Sequence, residues 1–156
     1  MKNYFITIAE MCVTEELPPL VIVRKIMKYH IKPMHKVYLD LGLRIFCLDS
    51  KGIRSCYRPF RWEISRLRSG KSEHTFGQGA KGKINLNKKG AADWRCESFQ
   101  LNKNKLVNSI IENTDYTRIV IYNHHIHTDY KNRSGNKRVY KSNDANNWIL
   151  IKTIIK

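Results

Sequence analysis

The stretch TRIVIYNHHIHTDY, residues 117–130, constrains the fold more than any other part of the chain. Residues 117–122 combine β-branched and aromatic side chains in the strongest strand pattern present. Asn123-His124 reads as a tight turn, so residues 125–130 are predicted to pair back as the next strand. Side chains two apart on a strand share a face. His125 and His127 therefore project together while Ile126 points to the core. Such a hairpin calls for an antiparallel sheet with one buried face.

The segments around it supply the rest of a domain. Thr14-Glu15-Glu16 reads as a helix N-cap with acidic first-turn residues, interrupted by Pro18-Pro19. Residues 20–29 (LVIVRKIMKY) predict a packed helix whose pattern Pro33 ends, and residues 35–43 predict another with Gly42 near its end. Residues 60–67 and 102–113 predict two more helices, the second capped by Asn102 with Leu106, Val107, Ile110 and Ile111 on one face. Short strands are predicted over 44–48 and 53–59, around a turn at 49–52, and again over 138–141 and 148–155. Helices first, then strands with a helix inserted, predict one α+β domain: an antiparallel sheet with helices packed on one side.

A length of 156 residues with 42% hydrophobic content suits a single domain with its own core. The four cysteines, Cys12, Cys47, Cys56 and Cys96, include no CxxC pair and are expected as free buried thiols. Glu10, Glu15 and Glu16 come too early for a secretory leader, so synthesis and folding in a cytoplasm are expected. No apolar run approaches the roughly 18 residues of a membrane span. The net charge of +16 favours an anionic partner: nucleic acid, a cell-wall polymer or a membrane surface. The basic residues are spread along the chain, with no helix-turn-helix, RNP-type strand or zinc finger, which makes nucleic acid the weaker reading.

Four of the six histidines, His74, His124, His125 and His127, fall in two short stretches, and His30 and His35 are read as surface or packing residues. A His, an Asp and a second His from separate segments, with one coordination place open, is the ligand set of a catalytic metal site. An HxH pair on a strand can bind a metal through one ring and manage protons through the other.

These residues carry a resemblance. Ser72-Glu73-His74-Thr75-Phe76-Gly77 and Ala91-Ala92-Asp93 resemble the two halves of the SxHxxGxAxD motif of the M15-type zinc peptidases. That family includes D-alanyl-D-alanine carboxypeptidases and L-alanyl-D-glutamate endopeptidases, many of them phage lysis proteins. His125-Ile126-His127 resembles the later HxH strand of the wider group with the hedgehog/D,D-peptidase fold. Residues 53–59 (IRSCYRP) resemble the family's "SGYR" or "YRP" strand, and residues 5–11 (FITIAEM) the "FTxxEL" opening of its phage-type branch. The resemblance implies that His74, Asp93 and His127 bind zinc. It implies that Arg58 contacts substrate or the developing oxyanion, that Ser72 lines the substrate pocket, and that His125 lies beside the open coordination place. The function it implies is hydrolysis of a peptidoglycan peptide next to a D-residue, by a phage lysis or tail-associated protein acting at the bacterial wall or within a virion. Peptidoglycan or another anionic wall polymer would be the partner, alongside other virion proteins.

Two features depart from the family pattern. Between His74 and Asp93 lie 18 residues, including a glycine- and lysine-rich insert at 79–90, where the motif is compact. Such an insert can loop out at small entropic cost, as a surface hairpin or as a flap over the site. The acid that commonly precedes the last zinc histidine is missing, because Tyr122, Asn123 and His124 occupy those places. His125, His124 and Asp129 are the candidates to replace it, and Asp129 shares a strand face with His127 as an orienting partner. The missing acid also leaves open a catalytically weak or inactive chain kept for wall binding or virion structure.

Overall fold

The computed structural model describes residues 4–143 and 147–156. It is an α+β arrangement around one six-stranded sheet. In chain order the elements are α1 (Leu20–Ile26), α2 (Lys32–Leu41), β1 (Ile45–Phe46), α3 (Phe60–Ser65), β2 (Ala91–Cys96), α4 (Phe99–Asn113), β3 (Arg118–Ile121), β4 (Ile126–Asp129), β5 (Lys137–Lys141) and β6 (Ile149–Ile154). The strands lie in the order β1-β2-β4-β3-β5-β6, antiparallel except for β3 beside β5.

Several local expectations are corrected. No helix starts at Thr14: a short 3-10 turn at Ala9–Met11 comes before it, and α1 begins only after Pro19. Pro33 does not end the helix. A π-helical turn, Met27–Ile31, joins α1 to α2 and puts Pro33 in the first turn of α2, where a missing N–H costs little. The Tyr29 carbonyl, four residues before Pro33, instead accepts the Tyr130 hydroxyl at 2.7 Å. Residues 53–59 form isolated bridges rather than a strand: Leu48 pairs with Arg54, and Cys12 with Tyr57. Residues 91–96 form a strand that the local pattern did not announce, and α4 starts three residues before Asn102.

The sheet has two chemically different faces. One carries Ala92, Trp94, Cys96, Ile119, Ile126 and Val139 into a core with Ile22, Ile26, Met34 and Val37 of α1 and α2 and Leu106 and Ile110 of α4. Burial of this apolar set is the main favourable term of folding. Thr128 is a polar residue buried on that face, and it is satisfied there. It accepts from Trp94 Nε1 at 2.9 Å and donates to the Ala92 carbonyl at 3.1 Å. The opposite face carries Asp93, His127, Asp129 and Arg118. All four cysteines are free and buried.

The insert is tied down at its base. Lys25 of α1 is buried and its Nζ donates to the carbonyls of Asn85 at 3.0 Å and Lys88 at 2.6 Å, with that of Phe76 at 3.5 Å. His30 is fully buried between the Tyr116 hydroxyl and the Lys89 carbonyl, each 3.0 Å from one of its ring nitrogens.

Candidate metal centre

The site starts from the segment at residues 55–58, which acts as a template for two other segments. Ser55 gives its carbonyl to the Asp93 N–H at 2.8 Å, fixing β2 alongside. One residue on, Cys56 gives its carbonyl to His74 Nδ1 at 3.0 Å, and the Arg58 N–H donates to the His74 carbonyl at 2.9 Å. His74 sits in a 3-10 turn, Glu73–Thr75, whose first N–H groups Ser72 caps: its Oγ accepts from the His74 N–H at 3.3 Å. Ser72 also lines the cleft, but its hydroxyl is directed to the turn it caps.

The third segment arrives by sheet register. Asp93 of β2 and His127 of β4 are direct cross-strand partners, so both side chains project from the same face. His127 Nδ1 donates to Asp93 Oδ1 at 2.8 Å, and His74 Nε2 lies 3.5 Å from Asp93 Oδ2. One ligand atom from each of His74, Asp93 and His127 lies within 4.8 Å of the others, so three distant segments converge on one point.

Around this triad the other predicted residues take definite places. Arg58 is buried, with Nη2 donating to Ser55 Oγ at 2.6 Å and to Asp93 Oδ2 at 3.3 Å, and it lies near Glu63 and Asp49 at 3.6 and 3.9 Å. Its shortest contact is thus with Ser55 Oγ, its ion pair is with the ligand Asp93, and it also lines the cleft. Asp129, fully buried, accepts from His127 Nε2 at 2.9 Å and from Arg118 Nε at 2.8 Å. His125 stacks on Tyr122 and holds Nε2 3.7 Å from Asp93 Oδ1. His124 is exposed in the turn at the cleft rim.

Burial alone would raise the Asp93 carboxyl, but the neighbouring His74, His127 and His125 hold it well below the usual carboxylate range. Burial opposes charging of His127, yet its bonds to Asp129 and Asp93 outweigh that and raise it to about 9. Asp129 is lowered to about 2 by His127 and Arg118 against the opposing effect of burial. His74 is pushed down to about 3, by burial first and by the charges of Arg58 and His127. His125 is lowered, again by burial first. Both partners of His127 are ionised acceptors, so both of its nitrogens carry protons here.

This arrangement fits a tetrahedral cation. His74 donates Nδ1–H to a carbonyl, which leaves its Nε2 as a free lone pair facing Asp93. Ligand atoms around zinc are about 3.4 Å apart for bonds of ~2.1 Å. The separation of 3.5 Å between His74 and Asp93 already meets that. The 2.8 Å separation of His127 and Asp93 is shorter, as expected where a proton joins the pair. A cation would replace that proton, and Asp129 would keep His127 oriented from behind.

The triad opens into a cleft of about 780 Å³ that also presents Asp49, Arg68, Lys71, Arg118 and Trp148. None of residues 79–90 lines it. A separate cleft of about 460 Å³ between Pro18-Pro19, Phe60 and the tip of the insert shares no residue with it. Sequence reasoning missed Ser55, Asp49 and Arg118. Arg118 was within reach: a two-residue turn at 123–124 pairs 122 with 125, and counting outward pairs Arg118 with Asp129.

No protein-family model matches the chain, and comparison with curated proteins and with solved structures gives no significant match.

Proposed function

We propose that this chain is a zinc-dependent peptidoglycan hydrolase of the hedgehog/D,D-peptidase kind, cleaving an amide next to a D-amino acid. A single observation carries the reading: His74, Asp93 and His127 converge within 4.8 Å at the floor of a cleft. The resemblance of their motifs to M15-type peptidases, in the same order along the chain, supports the substrate class, and with it a phage lysis or tail-associated role.

His74, Asp93 and His127 would hold the ion, and bound zinc would supply Lewis acidity toward water and the scissile carbonyl. Asp129, clamped by Arg118, fixes the ring of His127. Arg58 places positive charge beside Asp93, on the side where a carbonyl oxygen in the cleft would gain negative charge. His125 is kept neutral by burial and turns Nε2 toward the site, where it can take a proton from attacking water. Asp49, on the same cleft, is the carboxylate closest in role to the one missing before His127; its Oδ1 is engaged by the N–H groups of Lys51 and Ile53.

Zinc-loaded protein incubated with purified peptidoglycan should release peptides with a new amine, identified by mass. His74→Ala should lose both zinc and release. Full zinc stoichiometry in that variant, or no new amine from the native protein, refutes the assignment. Binding to intact walls without cleavage would favour the second reading, a wall-binding virion component, which the missing acid motivates.

A further inference from the structure

The metal cleft continues into a second concavity. Glu73 and Lys131 belong to both, and the second cleft, of about 670 Å³, adds Lys88, Lys89 and Arg133. Glu73 is its one carboxylate, and Lys88 already holds it at 2.8 Å. Lys89, Lys131 and Arg133 have no carboxylate partner among the described residues. Three unpaired cations around one hollow repel each other, and the repulsion is relieved when an anion enters.

The backbone here is set in advance. Lys25 holds the Lys88 carbonyl and His30 the Lys89 carbonyl. The Lys131 N–H donates to Asp129 Oδ1 at 2.9 Å, and Asn132 Nδ2 donates to the Asn136 carbonyl at 2.7 Å. The cations therefore sit on a backbone held in place before binding, which leaves only their side chains to be ordered.

The chemistry separates one polyanion from another. Single-stranded nucleic acid is gripped by stacking its bases on open aromatic rings. The rings here are already occupied: Lys89 Nζ lies over both Tyr29 and Tyr130, and Tyr130 packs against Tyr29, Tyr116 and His30. What remains on offer is positive charge and amide groups, which suits phosphate groups spaced along a chain without bases.

We propose that the two clefts form one groove, and that the arm at Lys89, Lys131 and Arg133 binds a phosphodiester-linked polyol or glycan chain of a bacterial wall while the metal end reaches the adjoining peptide. The wall setting rests on the function proposed above; the charge of the groove does not.

The test compares walls carrying their phosphodiester polymer with the same walls stripped of it by hydrofluoric acid, using zinc-loaded protein. Cosedimentation gives affinity at several salt concentrations, and mass analysis gives peptide release. Lys89→Gln/Arg133→Gln should bind phosphate-bearing walls roughly tenfold more weakly at low salt. The slope of log affinity against log salt should flatten by roughly one to two. Binding to stripped walls and release from them should match the native protein. Arg133→Glu, a change at one exposed position, should show the same direction if the double variant folds poorly. Equal binding of native and variant protein to both walls overturns the proposal. So does duplex DNA that competes better than the released polymer and loses affinity in the same variants. If native protein releases no peptide but keeps the phosphate-dependent binding, the hydrolase reading fails and the groove stands.

Discussion

Lys25 is the side chain whose removal reads out most directly how the insert is held. It is 7% exposed, and its ammonium reaches the carbonyls of Asn85 and Lys88 at 3.0 and 2.6 Å; the third contact, to Phe76 at 3.5 Å, is long and weak. Two hydrogen bonds from a charged donor contribute about 3–6 kcal/mol before offsets. Burial disfavours the ammonium, as its lowered pKa records, so part of that gain is already spent on desolvation. Lys25→Met removes this cost and fills most of the volume, but leaves two partly buried carbonyls for water to find. The net loss is then about 2–4 kcal/mol. For a chain of this size that corresponds to a Tm lower by roughly 5–12 °C.

Chemical unfolding gives the free energy, and hydrogen exchange gives its location. The amides of Asn85 and Lys88, bonded to Gly77 and Asn85 carbonyls, should exchange faster in the variant. Because Gly90 lies two residues past Lys88 and leads into β2, zinc affinity should fall modestly as well. Stability within about 0.5 kcal/mol of the native protein, with unchanged exchange over 77–88, would refute the idea that Lys25 holds the insert.

Three further outcomes are expected. Asp129→Asn weakens the acceptor behind His127 and should lower zinc affinity about 10–100-fold with the fold retained, as measured by competition with a chelator; unchanged affinity would remove Asp129 from the site. Gly90→Ala places a Cβ 2.3 Å from the buried Phe76 ring at a φ of +87°, and should cost about 2–5 kcal/mol in urea unfolding, whereas a neutral result would mean the ring moves freely. In metal-free protein His127, raised to about 9 from an ordinary 6.5, contributes about 3 kcal/mol below pH 6.5 that is lost as pH rises through 9, while His74, pushed down to about 3, makes stability fall as pH drops below 6.5. Urea midpoints should thus peak near pH 6.5, and a rise between pH 7 and 9.5 would contradict the charged state of His127.

What could be read from the chain followed from how local each decision is. The hairpin at 117–130 was legible because its turn has two residues and its register follows by counting. The helix end at Gly42 was legible because a left-handed residue there, at φ 64°, suits glycine. Strand β2 was not legible: AADWRC is buried on both faces, so the apolar–polar alternation of a half-solvated strand is absent. The continuation through Pro33 depended on Tyr130, almost 100 residues away, taking up the freed Tyr29 carbonyl. Asp93 was picked out as a ligand by its resemblance to a motif. Its meeting with His127 depends on a β2–β4 register that no local pattern encodes.

Asp93 and Asp129 lie on the same sheet face, one on each side of the His127 ring, and each also has its own arginine, Arg58 and Arg118. Two ion pairs would already balance, so a protein that needed only a stable sheet face gains little from placing a histidine between them. A half-buried imidazolium held by two carboxylates is instead a position where one cation stands in for another. His74 supports this view from the other side: it is kept neutral, with Nε2 unprotonated and aimed at Asp93, although a protonated ring would pair with that carboxylate. A neutral nitrogen beside an ionised carboxylate and an exchangeable proton is what a divalent ion requires of its ligands before it arrives. The sheet register and the 55–58 template therefore hold three candidate ligand groups in place, His74 Nε2, an Asp93 oxygen and a His127 nitrogen.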